Sequence, residues 1–209
     1  PGGHSDLARR QARGPSMKRI AVLNVVGLTK GLLTRNLPRI RQIAGNLETA
    51  SFSPVFPAVT TTAQATYLTG TSPVDHGIVG NGWYEREDAE VRFWKQSNHL
   101  VRGEKLWEAI GRERSDFRCA KMFWWYNMYS SADWSVTPRP IYPADGRKIF
   151  DVYAHPPGLR DQLVGELGEF PFPSFWGPRA GLPSTKWIAD SARWMEQQEE
   201  PDLNLVYLP

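Results

Sequence analysis

Cysteine occurs once, at Cys119, which excludes an intramolecular disulfide and any site built from several thiolates. Histidine is nearly as scarce: of His4, His76, His99 and His155, none stands at metal-ligand spacing from another. No apolar run approaches the about 18 residues that a membrane span needs. The net charge is only +3, part of it from Arg9, Arg10 and Arg13, and no basic stripe suits a nucleic-acid polymer. Internal repeats are absent. Met17-Lys18-Arg19 followed by Ile20-Ala21-Val22-Leu23 looks like the start of an export signal but is expected to be a first buried strand. Asn24 interrupts the apolar run, and Lys30 and Arg35 follow without a small-residue cleavage site. With cysteine so scarce, a cytoplasmic location is expected. Met17 reads as a start, and residues 1–16 are expected to be a disordered or non-native extension.

What remains is ordinary globular composition, 41% hydrophobic and 22% charged, with an unusual nine tryptophans, most of them between Trp83 and Trp134. Apolar patterning alternates strand and helix. Residues 19–26 read as a buried central strand of a parallel sheet. Helices are expected over 37–44, with Pro38 in the first turn, and over 60–69, closed by Gly70. A further helix is expected at 104–110 and a strand at 119–125, while 137–157 reads as irregular. Leu159, Leu163 and Leu167 mark an amphipathic helix. Ser184 is a candidate cap for a helix burying Trp187, Ile188, Trp194 and Met195. Residues 203–208 form a last buried strand. The expected class is α/β, a mainly parallel sheet with helices on both faces. Only Pro209 follows the last strand, so residues 17–209 are expected to be the N-terminal part of a larger catalytic domain, truncated on its C-terminal side.

The chemistry concentrates in Phe56-Pro57-Ala58-Val59-Thr60-Thr61-Thr62, which runs on through Thr69-Gly70 and Pro73 to His76-Gly77-Ile78-Val79-Gly80-Asn81. Three threonines open a short helix directly after an extended segment. A hydroxyl there faces unpaired backbone N–H groups and the positive end of the helix dipole, a setting that attracts phosphate or sulfate and tolerates an alkoxide. Threonines that merely cap a helix would look the same.

The whole stretch resembles the nucleophile region of the alkaline phosphatase superfamily, in its nucleotide pyrophosphatase/phosphodiesterase branch. Lys105-Leu106-Trp107 with Phe123-Trp124, and Leu205-Val206-Tyr207-Leu208-Pro209, extend the likeness over 18–209. It implies a hydrolase of phosphate diesters or pyrophosphates acting on a small-molecule phosphate ester. Thr60 would be the nucleophile and a metal ligand, with Thr61 and Thr62 as decoys beside it. Asn81 would donate to a phosphoryl oxygen, and His76 would position the loop before it. The implied cofactor is a divalent metal, zinc in the first instance, whose remaining Asp and His ligands are expected C-terminal to Pro209. This piece is therefore expected to be inactive alone. One departure stands out: Val26 occupies the place of a family metal-binding Asp, and Asn24 is a weaker, neutral substitute. It favours the alternative of a non-catalytic relative that binds a phosphate ligand or serves an assembly. The Cys/Ser-x-Pro-x-Arg signature of sulfatases is missing from Thr60-Thr61-Thr62-Ala63-Gln64. Arg139 and Arg147 are candidates for a second phosphate, and the Trp/Tyr-rich region for a stacking surface.

Overall fold

A computed structural model describes residues 18–33, 37–45 and 50–209. In chain order its elements are β1 (Ile20–Val25), a 3-10 turn (Lys30–Leu33), α1 (Pro38–Ala44), α2 (Thr60–Thr69) and α3 (Pro73–His76). Then come β2 (Gly82–Glu85), β3 (Glu90–Phe93), α4 (Leu106–Glu113), β4 (Cys119–Met122), β5 (Trp134–Pro138) and β6 (Val152–His155). They close with α5 (Leu159–Leu167), α6 (Leu182–Gln198) and β7 (Leu203–Leu208). The expected extension over 1–16 and the start at Met17 lie outside the described residues.

The main sheet has the order β1-β7-β4-β5-β6. β1, β7, β4 and β5 are mutually parallel, and β6 joins β5 antiparallel. Alternation along the central strands assigns the layers, since successive side chains leave opposite faces. Leu203 and Leu205 of β7 and Cys119 of β4 pack with Leu68 of α2 and Trp107 of α4. Ala120, Met122 and Val206 pack instead with Leu159 and Leu163 of α5 and Ile188 and Met195 of α6. Helices thus cover both faces, as the apolar patterning predicts.

Several local expectations shift. β1 is the edge strand of the described sheet rather than a central one, with Ile20 57% and Leu23 59% exposed. Its apolar sequence suits burial on two faces, but the described helices do not cover them. The strand expected over 119–125 stops at Met122, because Phe123 takes a left-handed conformation at φ 60. Ser184 lies inside α6, whose N-cap is Gly181, and its hydroxyl donates to Ser174 O and Gly181 O. The 137–157 stretch contains β6, and Gly82 to Phe93 forms an antiparallel hairpin.

Candidate active site at the start of α2

α2 begins at Thr60 because Val59 is extended, and it ends at Gly70, whose φ of 66 only glycine adopts readily. Of the three opening threonines, Thr61 and Thr62 are fully buried and Thr60 is partly exposed. Thr61 is spent on structure. Its N–H donates to Asn81 Oδ1 at 3.2 Å, and its hydroxyl donates to Gly80 O at 2.8 Å, with Asn81 Oδ1 at 2.9 Å. A backbone N–H can only donate, so the Asn81 oxygen must face the helix, and its amide nitrogen faces away with both protons. Asn81 is held from behind as well, its carbonyl accepting from Trp94 N at 3.0 Å.

The segment between α2 and Asn81 is tied by His76. Ile78 N donates to Nδ1 at 3.1 Å, so Nε2 carries the proton and gives it to Thr66 Oγ1 at 3.0 Å. Burial pushes the His76 imidazole below its ordinary value and keeps it neutral. Gly77 follows at φ 82, a left-handed conformation that favours glycine, while the Arg102 guanidinium 2.9 Å from a Cβ there is the end of a flexible side chain that can shift.

Gln64, one turn after Thr60, clamps α2 to two strand tips. Nε2 donates to Asn24 Oδ1 at 2.8 Å, and Oε1 accepts from Trp125 N at 2.9 Å. Two phenols reach the opening of the helix. Burial holds the Tyr126 phenol well above its usual range, with nearby Thr61 drawing it part of the way back. Burial likewise raises the Tyr207 phenol, with Thr60 and Trp125 nearby acting the other way. The Trp125 indole Nε1 completes no hydrogen bond of normal geometry. Sequence reasoning assigned no role to Gln64 or Tyr207. The available signals were the four-residue step from Thr60 and the position next to a strand's end.

Around this centre, Trp94, Trp125 and Trp176 gather with ring centroids 4.7 to 6.1 Å apart. A cleft of about 710 Å³ runs past Leu28, Ala58, Ala63 and Tyr67, the last two on the helix face that begins at Thr60. Arg147 pairs with Asp145 at 2.7 Å on the surface.

Among the described residues the donors present do not make a divalent-ion site. Val26 is 50% exposed and has no ligating atom. Asn24 offers its oxygen to Gln64 instead. Among the described residues no group of three or more His, Cys, Asp or Glu gathers to hold a metal. No helix of the described residues is long and apolar enough to cross a membrane.

Comparison with known proteins follows the same lines. The family model for type I phosphodiesterase / nucleotide pyrophosphatase matches residues 20–209. No curated protein sequence matches the chain. Murine ectonucleotide pyrophosphatase / phosphodiesterase 5 superposes with a TM-score of 0.51 at 14% identity, over 91% of this chain and 56% of its own. Phosphonoacetate hydrolase from Sinorhizobium meliloti 1021, in complex with phosphonoformate, superposes with a TM-score of 0.55 at 12% identity, over 90% of this chain and 45% of its own. At these identities the likeness is one of fold, and this chain spans about half the length of each.

Proposed function

Because the chain belongs to the type I phosphodiesterase / nucleotide pyrophosphatase family, we propose that the protein carrying it hydrolyses a phosphate diester or pyrophosphate of a small molecule, with Thr60 as nucleophile. One juxtaposition carries this reading: a partly exposed Thr60 opens α2 beside an Asn81 whose amide protons face away from the helix. Thr60 Oγ1 attacks phosphorus and gives up its proton to solvent, the ester oxygen departs with its electron pair, and a phosphothreonine forms. Water then attacks that phosphorus and frees Thr60. Asn81 donates to a phosphoryl oxygen as charge develops, and the helix N-terminus favours the same charge. The cleft along Ala63 and Tyr67 gives the ester's substituent a place on the Thr60 side of α2.

The divalent ions that the family resemblance implies, zinc first, need donors that the described residues do not assemble. They belong to the reading of the protein over its whole length, and no step above runs through them. Val26 and the engaged Asn24 favour a second reading, a relative that binds a phosphate ligand without turning it over. One experiment separates the two. The full-length protein is assayed with and without zinc on a chromogenic phosphodiester, a monoester and a sulfate ester, beside Thr60→Ala. Diester turnover abolished by Thr60→Ala supports the first reading. No turnover and no bound zinc supports the second, and turnover indifferent to Thr60→Ala removes Thr60 as nucleophile.

A further inference from the structure

β1 is bare on both faces. Ile20 and Val22 leave one face of the sheet, Ala21 and Leu23 leave the other, and all four are exposed. The opposite edge of the sheet differs: in β6, Val152 is buried and Tyr153 and Ala154 are partly buried. An edge strand that meets water is ordinarily short, charged or interrupted by proline. Ile20-Ala21-Val22-Leu23-Asn24-Val25 carries no charge and no proline, and its near-continuous apolar run is that of a strand covered from both sides. Its backbone is half used as well. Ile20 N donates to Asp202 O at 2.9 Å and Val26 N to Leu208 O at 3.0 Å, so positions 20, 22, 24 and 26 face β7. Ala21 and Leu23 therefore turn their N–H and C=O groups to the open side.

We propose that this edge is the docking site for a strand, with its flanking helices, from the part of the protein that follows Pro209, added parallel to β1. Parallel neighbours are joined by helical crossovers, and such helices cover both sheet faces, which is what Val22 and Leu23 each lack. The solved relatives carry about as much chain again outside the part that superposes on this one, enough for strands and covering helices. β7 is the immediate neighbour of β1, so a crossover leaving the Leu208 tip reaches the open side across a single strand. Residues 1–17 are the wrong chemistry for the edge: they hold no β-branched and no aromatic residue, but three glycines and two prolines. A second copy of this chain does not suit it either. It brings only another β1 with bare faces, and both strands would keep their apolar side chains in water. Docking on β1 is independent of whether Thr60 is the nucleophile.

The test uses the full-length protein in two measurements. Site-resolved hydrogen exchange on the wild type reads the amides of Ala21 and Leu23, which point away from β7 and need a partner on the open side for protection. Both are expected to exchange at least about 100-fold slower than in an unstructured peptide, as the amides of a paired core strand do. Separately, a benzophenone side chain placed at Leu23 is photo-crosslinked, and the joined peptides are mapped by mass spectrometry. A peptide from beyond residue 209 of the same molecule supports the proposal. Capture of peptides from residues 1–209 only, residues 1–17 among them, overturns it, and so does a product of twice the monomer mass. Should the Leu23 variant not fold, Val22 on the other face takes the benzophenone. Ala21 and Leu23 amides that exchange as freely as an unstructured peptide overturn the proposal without any variant.

Discussion

Gln64 Nε2 donates to Asn24 Oδ1 at 2.8 Å, so the one polar side chain of β1 is consumed in holding α2. The same amide's oxygen receives Trp125 N, so one buried side chain joins a helix to the tips of two strands. The position of Thr60 depends on this clamp.

Gln64→Leu keeps the bulk but strands the part-buried Asn24 oxygen and the buried Trp125 N–H. A buried unsatisfied group costs about 1–3 kcal/mol, so the expected loss is at least about 1–3 kcal/mol, read as a lower urea midpoint. Turnover should fall with it. A midpoint within error of wild type would show that α2 is held by something else.

Asn81→Ala removes the acceptor of Thr61 N and the donor proposed for the phosphoryl oxygen. The expected result is about 1 kcal/mol of lost stability, as for other helix caps, together with a kcat reduced by about 100-fold. Stability lost with kcat intact would reduce Asn81 to a structural cap.

Lys121 is fully buried on the Trp107 side of β4, its Nζ donating to Tyr126 O at 3.2 Å and lying 4.4 Å from the Trp107 ring centroid. Burial pushes its ammonium down to about 7 from 10.5. The unfolded chain therefore binds more protons above pH 7, and stability rises with pH from there. Buried Cys119, pushed up to about 12 from 9.0, acts oppositely above pH 9. Unfolding free energies measured from pH 7 to 9 should rise in wild type and flatten in Lys121→Met. Parallel curves would count against a neutral lysine.

His76 titrates below its unfolded value of 6.5, so its stabilisation is complete above that pH and is lost as the pH falls through it. Between pH 7.5 and 5.5, about one unit either side of the ordinary histidine pKa, wild type should weaken more than His76→Gln. The variant should itself be less stable by about 1–3 kcal/mol, with the Ile78 and Thr66 contacts impaired. Equal acid sensitivity would locate the acid-labile group elsewhere.

Local signals made much of this readable in advance. Extended Val59, then Thr60 and Gly70, delimit α2 through capping chemistry that involves only neighbours in the chain. The apolar runs at β4 and β7 announce buried parallel strands. β1 misleads for the opposite reason: Ile20 to Val25 has the composition of a central strand, yet which neighbours cover a strand is not written in its own residues. The β2–β3 hairpin was hidden by the charges of its turn, from Glu85 to Glu90.

By itself the sequence determined where α2 starts and ends, that β4 and β7 lie inside, and that three hydroxyls crowd one helix mouth, since these follow from short-range sterics and periodicity. Tertiary structure alone decided that Thr61 is tied to Asn81 while Thr60 stays partly exposed, and that Gln64 binds α2 to Asn24 and Trp125. The physical reason is that hydrogen-bond partnership depends on which segments are brought beside the helix, and Asn24 and Trp125 lie 40 and 61 residues from Gln64 in the chain.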